Sequence, residues 1–410
     1  MRFSKSHLRP IWAIVCFCSA AVGGYVPYVA QAQTSTNSWT TTFNTDVRYY
    51  GWTNSLGGSG AQIYAPLVAQ LSGRPNSDWK LDFLLRSGMI WSRQSTSSAS
   101  SEVSTPTDTN FTPTVTYLGW NGITPFAAVA FNLPTANKAS NPNTTVSNTK
   151  TDPDIIATPV FGEGFNVGPS IGANFNLSQS MVVGLGAGYT YRGPFDQSKN
   201  RSLSRFDPGD VYTLNASFGY SGDQLIVQTS VSYSIENQTL QDSSPLYRAG
   251  PRTIASLKAG YTWNDNWASR LGVTYSHFEK NDVTSTGVTG LVREMFNSNS
   301  DVVKASFDIP YSRDNYTVGP TVGYLYRNRN GYDPTTFQFL PAKTSWNAGL
   351  TGTIAVNKQY TLNLSVQHIW VKENENPTKL DATNTIIPGS GVPESSTNAW
   401  VASIGGSVKF

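Results

Sequence analysis

The chain has 410 residues, with 29 basic against 26 acidic side chains, 12% aromatics and two cysteines. That balance gives no support to a nucleic-acid partner held by bulk charge, and two cysteines are too few for a disulfide scaffold. The length would allow two ordinary domains, yet Gly, Ser, Thr and Asn are abundant throughout and no composition shift divides the chain.

The first elements are those of export. Arg2, Lys5 and Arg9 precede an apolar run from Ile11 to Val22, and Ala30-Gln31-Ala32 follows. This reads as a secretory signal peptide over residues 1–32. The apolar run is well short of the roughly 20 residues of a spanning helix. Both cysteines lie inside it and leave with it, as do three of the 29 basic residues. Residues 33–410 therefore carry 26 basic against 26 acidic groups and no thiol.

From there the chain alternates. Trp79, Leu81, Phe83, Leu85, Met89 and Trp91 interleave with Lys80, Asp82, Arg86 and Ser92. Met181, Val183, Leu185 and Tyr189 interleave with Gly184, Gly186 and Gly188. Thr253–Trp263, Tyr316–Tyr326 and Tyr360–Trp370 repeat the pattern, and the last stretch runs Trp400, Ala402, Ile404, Gly406, Val408, Phe410. Period-two alternation predicts strands with two unlike faces. Segments fall near 39–50, 60–72, 79–91, 111–120, 124–133, 165–176, 181–192, 210–220, 224–234, 252–263, 267–278, 301–311, 316–327, 344–355, 360–371 and 399–410. That is sixteen strands. Ile155–Phe161 reads either as part of the sixth strand or as inward-folded loop, and fourteen is the alternative count.

The connections alternate as well. Asn176–Gln179, Ser221–Asp223, Asn264–Asn266, Ser312–Asn315 and Val356–Lys358 are short turn sequences. Arg93–Asn110, Pro134–Asp154, Arg192–Pro208, Ser234–Pro251, Glu279–Ser300, Arg327–Lys343 and Lys372–Asn398 are long and polar. Aromatics mark the ends of the apolar rows, where the two membrane interfaces would lie. Together these features predict an all-β, transmembrane antiparallel barrel over 33–410, with short periplasmic turns and long extracellular loops. Closure leaves no backbone donor or acceptor unpaired in lipid.

The final alternating strand, with Trp400, Ile404, Val408 and the terminal Phe410, resembles the C-terminal assembly signal of bacterial outer-membrane barrels, porins among them. The resemblance implies a diderm bacterium, an outer-membrane location with lipid and lipopolysaccharide as surroundings, and recognition by the barrel-assembly machinery. More narrowly, TPFAAVAFNLPTANKAS (Thr124–Ser140) and GAGYTYRGPFD (Gly186–Asp196) resemble barrels grouped with meta-pathway phenol degradation. That likeness implies uptake of aromatic or other hydrophobic compounds.

No catalytic or cofactor constellation emerges. His277 and His368 fall on apolar faces beside Tyr275 and Trp370 and read as interfacial side chains. Asp152-Pro153-Asp154 and Asp207-Pro208-Gly209-Asp210 read as loop turns rather than calcium sites. Gly184–Gly188 lies inside a strand, where glycines admit curvature or an opposing side chain. The expectation is a protein that is neither an enzyme nor a cofactor carrier.

Strand parity turns Arg48, Lys80, Arg86, Arg192, Arg252, Lys258, Arg270, Lys304, Arg327 and Lys409 inward, against Asp46, Asp82 and Asp308. The pore-lining candidates are Arg48, Arg86, Lys258, Arg270, Lys304, Asp82 and Asp308, with Arg86, Lys258 and Lys304 nearest mid-strand. A basic lumen predicts a channel for small solutes with anion preference. Uptake of aromatic compounds, and a non-transport barrel whose loops bind a surface partner, stand as the alternatives.

Overall fold

The computed structural model describes residues 39–96, 100–136, 162–196, 205–285, 287–381, 385–387 and 389–410. Residues 1–32, expected to be a signal peptide, and the Ile155–Phe161 segment lie outside the described residues. The main sheet contains eighteen segments, of which two pairs are halves of interrupted strands, so sixteen strands form the wall. In chain order they are Trp39–Asn54, Ser59–Gly73, Trp79–Ser95, Ser100–Tyr117, Ile123–Leu133, Asn166–Asn176, Met181–Arg192, Val211–Ser221, Leu225–Glu236, Arg252–Thr262, Ala268–Phe278, Val302–Arg313, Tyr316–Arg327, Lys343–Ala355, Tyr360–Glu373 and Ser395–Lys409. Each pairs antiparallel with its chain neighbours.

The barrel closes where the first strand meets the last, from Thr42 opposite Lys409 to Asn54 opposite Thr397. Beyond that ladder, Thr41 and Phe410 exchange backbone hydrogen bonds of 3.1 and 2.9 Å. Phe410 lies edge-on to Phe43 at 6.3 Å and is 63% exposed on the outer surface. A terminal phenylalanine so placed completes the outward ring of the seam. It cannot fray without breaking the closing pair.

The apolar rows all face outward. Val47, Leu67, Ile171, Leu214, Leu350 and Ile404 are exposed in a belt around the wall. Aromatic contacts rim it on both sides. Trp79–Tyr117, Tyr261–Trp263 and Trp267–Tyr311 lie at the short-turn end, and Tyr189–Tyr212 and Tyr324–Trp346 lie toward the long loops. In a water-soluble fold such a belt would be costly; against hydrocarbon, with rings at both interfaces, it is the stable arrangement.

The fourth strand breaks in an informative way. Met89 faces Pro106 and Arg86 faces Asn110, so this strand carries one residue more than its partner between those points. Such a β-bulge re-aims the extra side chain. Asp108 is at the bulge and is only 1% exposed.

The long connections are more ordered than a reading of polar loops implies. The Arg93–Asn110 stretch is strand on both sides of its tip, because the third strand runs on to Ser95 and the fourth begins at Ser100. The connections after the seventh, ninth and eleventh strands zip into a second, six-stranded sheet. Its order is Leu291–Arg293, Asp282–Thr284, Ser244–Arg248, Thr239–Gln241, Arg205–Asp207, Phe195–Asp196. Asp282 ties it together, pairing with Arg248 and, at 3.8 Å, with Arg293. Farther round the rim the 328–342 and 374–394 connections interlock. Lys379, 3% exposed, donates to the Pro334 carbonyl at 2.8 Å and stands over the Phe339 ring.

Candidate functional site: the barrel lumen

Inward side chains divide the lumen into two chemically different walls. The first spans the fifteenth, sixteenth, first, second and third strands and is apolar toward the long-loop end. Ile369, Val371 and Ala399 form a buried cluster, with Trp52 and Val401 packed on it. Ala399 is 1% exposed. The cluster follows cross-strand neighbours, Ile369 to Ala399 to Trp52 to Gly60. Gly60 is the seat of the indole, since a methyl group there would lie 1.9 Å from Cζ2 of Trp52. One row below, Tyr50 stands between Val401 and Gln62, and Tyr64 packs on Ile90.

The chain just past the fifth strand turns inward on this side. Ala136, just past the fifth strand, packs against Tyr64 and Ile90. Buried Asp108 receives the Ala136 backbone N–H on Oδ1 at 3.1 Å. Its Oδ2 receives the Glu163 N–H at 3.3 Å and Asn132 Nδ2 at 3.4 Å. One carboxylate thus holds both ends of the 134–165 connection. A buried carboxylate accepting several donors is a strong fastening, and the bulge is what brings it there.

The second wall comprises the tenth, eleventh and twelfth strands and is basic. Lys258 lies between Gln228 and Gly272 in register, and Lys304 between Thr274 and Leu325. Both lysines are exposed. Arg270 faces Asp308 across one strand gap, 3.6 Å apart. Gly272 leaves the space between Lys258 and Ser306 open, where a side chain would meet Ser306 Oγ at 2.8 Å. In a ring of sixteen, the tenth to twelfth strands stand opposite the second to fourth.

The inward candidates read from sequence are therefore distributed, not gathered. Arg48 is bonded to Asp46 and lies over the Tyr64 ring at 5.8 Å. Asp82 pairs with Lys80 at 2.8 Å. Arg86 sits on the third strand beside Asn110, across the barrel from Lys258, Arg270, Lys304 and Asp308. Arg86 thus stands on one wall, and Lys258 and Lys304 stand on the other. Longer strands also add inward charges that strand parity over shorter segments omits. Glu236 pairs with Arg192 at 2.7 Å and Glu373 with Arg327 at 2.9 Å, while Lys343 is buried. Much of the basic excess toward the long-loop end is thereby neutralised. Lys258 and Lys304 have no ion pair among the described residues.

The apolar wall escaped the sequence reading, although a signal for it was present. Val401 is the one large apolar residue on the otherwise small or polar row of the last strand, and Trp52, Ile90, Ile369 and Val371 similarly interrupt their own inward rows. Phe126 also faces inward, its ring laid over Gly172, where a methyl group would lie 2.5 Å from Cζ. That lumen glycines make room for an opposing ring is the expected role.

The histidines stay outside the lumen. His277 Nδ1 is 2.7 Å from Asp301, which also accepts from Tyr275 at 3.1 Å. His368 lies edge-on between Trp370 and Trp400. Asp210 of the Asp207–Asp210 turn is engaged by Tyr189 Oη at 2.6 Å and the Arg192 N–H at 3.1 Å. No group of three potential metal ligands occurs among the described residues. The Asp152–Asp154 turn lies outside them.

A closed sixteen-stranded wall with an outward apolar belt, two aromatic rims and a filled seam is the architecture of a bacterial outer-membrane barrel. No family model and no curated protein matches the chain. Solved structures do. An outer-membrane channel from Pseudomonas putida F1 shares 12% identity over 70% of this chain and all of its own, with a TM-score of 0.43. A Pseudomonas aeruginosa FadL homologue shares 10% over 90% of this chain and 89% of its own, at 0.43. A variant of the TodX monoaromatic hydrocarbon channel shares 10% over 92% and 91%, at 0.44. At such identities and scores these likenesses say nothing about a substrate of this chain.

Proposed function

We propose that the protein is a channel of a diderm outer membrane, exported by its N-terminal signal and inserted with its short turns toward the periplasm. Its Phe410-terminated strand is what the barrel-assembly machinery would engage. The solutes that suit it best are small aromatic compounds, those bearing a negative charge above all. The observation carrying this reading is the aromatic and apolar strip inside the lumen, Trp52, Tyr64, Ile90, Ile369 and Val401, whose Tyr64–Ile90 end stands opposite the Lys258–Lys304 wall. Apolar surface inside a water-filled barrel has no structural purpose in lipid contact, and it favours rings. The opposite cations favour anions. A general preference for small anions is the second reading, supported by the same two lysines without the strip.

The test is transport by purified protein. A stable open current in planar bilayers is expected; its absence would favour a rigid mount for surface-binding loops. Liposome influx of aromatic carboxylates should exceed that of aliphatic carboxylates of equal charge and size. Trp52→Ala with Ile369→Ser should erase that difference. Equal influx of the two classes in the unaltered protein would leave only the anion reading.

A further inference from the structure

The exterior carries a concavity in its belt, on the reverse side of the apolar lumen wall. Five outward residues on adjacent strands are successive cross-strand partners: His368, Trp400, Gly51, Ala61 and Arg93. The middle two have almost no side chain, and the outer three are large. The result is a groove of about 890 Å³. Gly51 is required for its shape, because a methyl group there would lie 2.6 Å from the Tyr49 hydroxyl, which closes the groove toward the short-turn end. Toward the long loops the floor continues as Thr53 and Ser59, small and polar.

The groove has a graded chemistry. Its lower part, where the Tyr49 ring covers Gly51 beside Ala61, borders the apolar belt. Its upper part carries the hydroxyls of Thr53, Ser59 and Ser95, and exposed Arg93 stands at its side in register with Ala61. Besides the Tyr49 phenol, three ionisable groups face this area. Arg93 forms one side and His368 the other, four strand spacings apart, about 19 Å between backbones. Glu102 is the cross-strand neighbour of Arg93, but its Oε1 accepts from Trp91 Nε1 at 2.7 Å, on the side away from the groove. A cation at one side, a small-residue floor at Ala61, Thr53 and Ser59, and aromatic rings beside it match an amphiphile standing along the wall. A flat protein face would leave the hollow over Ala61 empty.

We propose that this groove binds a phosphate-bearing lipid of the outer leaflet, its phosphate on Arg93 and the start of its acyl chain over Ala61, beside the Tyr49 ring that covers Gly51. The lipid would be a fixed ligand rather than one of the exchanging surround. The proposal rests on the barrel's exterior facing lipid, and the folded, heat-modifiable band in detergent reports that premise separately.

The test is lipid retention by the full-length mature barrel in detergent, read by native mass spectrometry. Phosphatidic acid is the probe and diacylglycerol with the same chains its phosphate-free counterpart. One equivalent of phosphatidic acid should be retained, about tenfold over diacylglycerol, the effect of one hydrogen-bonded ionic contact. Arg93→Gln should lower retention by a similar factor. Ala61→Trp should abolish it by filling the floor. Arg313→Gln, an outward arginine at the opposite end of the wall, should change nothing. Millimolar inorganic phosphate should fail to displace the lipid, since it lacks the chain. Retention unaltered in both groove variants would overturn the proposal. So would equal retention of diacylglycerol, displacement by inorganic phosphate, or a lipid-free dimer that Ala61→Trp dissociates.

Discussion

The two lumen walls are built from the same alternating strands yet are stabilised in opposite ways. The wall around the first strand is dense: Trp52 seated on Gly60, Ile369 on Ala399, Arg48 bonded to Asp46, and a connection fastened by Asp108. The wall around the eleventh strand is open, with glycine at position 272 and lysines that reach into water. Even their outer rims differ. The six-stranded sheet grows from the connections of the seventh to twelfth strands, while the interlocked 328–342 and 374–394 connections rise beside the apolar strip. The same outer row and the same ladders run through both walls. The inner row is then free to carry two chemistries on one wall.

The harshest test of this asymmetry is Asp108→Leu. It would leave the Ala136 and Glu163 N–H groups without their acceptor in a buried place, at a cost on the order of 3 kcal/mol. The Ala136 and Glu163 ends should come away from the wall while the barrel stays folded. Larger single-channel conductance and faster proteolysis near Ala136 would report it. Unchanged conductance and cleavage would mean the dense wall does not depend on its fastening.

Next in size is charge selectivity, which should reside on the open wall alone. Lys258→Gln with Lys304→Gln should move the reversal potential in a salt gradient toward cations. Their fields act only within about a Debye length, roughly 8 Å at physiological salt, so the shift should grow as salt is lowered. Replacing Arg48 and Asp46 together by Gln and Asn removes a bonded pair and should leave the potential where it was. A larger shift from that pair than from the lysines would reverse the assignment of the walls.

How far these walls were legible in the sequence follows from what one strand can reveal. Alternation is a property of a single segment, so the sixteen strands and the seam at Phe410 could be read directly. Pairing is a property of two. Glu236 and Glu373 sit one or two residues past the apolar rows, where alternation no longer marks a strand, and so Arg192 and Arg327 looked unpaired. The apolar strip needed five strands side by side before Val401 ceased to be an isolated exception. The Asp108 fastening needed the extra residue of a bulge, which no periodicity announces. The outer sheet is assembled from three connections separated by whole hairpins, each too short in itself to read as strand.

The smallest expected effect concerns the rim beside the apolar strip. Asp333 Oδ1 accepts from the Thr335 N–H at 2.9 Å and from its hydroxyl at 2.6 Å. These bonds, foremost the hydroxyl's, hold the Asp333 carboxyl below its ordinary value of 3.8, with Lys379 adding a weaker pull in the same direction. Lys379 itself is pushed below its usual range by burial, against the opposing charge of Asp333. A depressed carboxylate contributes its stabilisation above the unfolded value and loses it as pH falls through the folded one. The turn from Asp333 to Thr336, closed by a 3.0 Å backbone bond, should therefore hold unchanged from neutrality to about pH 4 and loosen below it. Amide exchange at Thr335 and Thr336, corrected for the intrinsic rate, measures this. Asp333→Asn keeps an acceptor oxygen without the titrating charge, so its exchange should show no such step. A step of equal size in that variant would trace the acid response to another group and leave the rim over the apolar wall independent of Asp333.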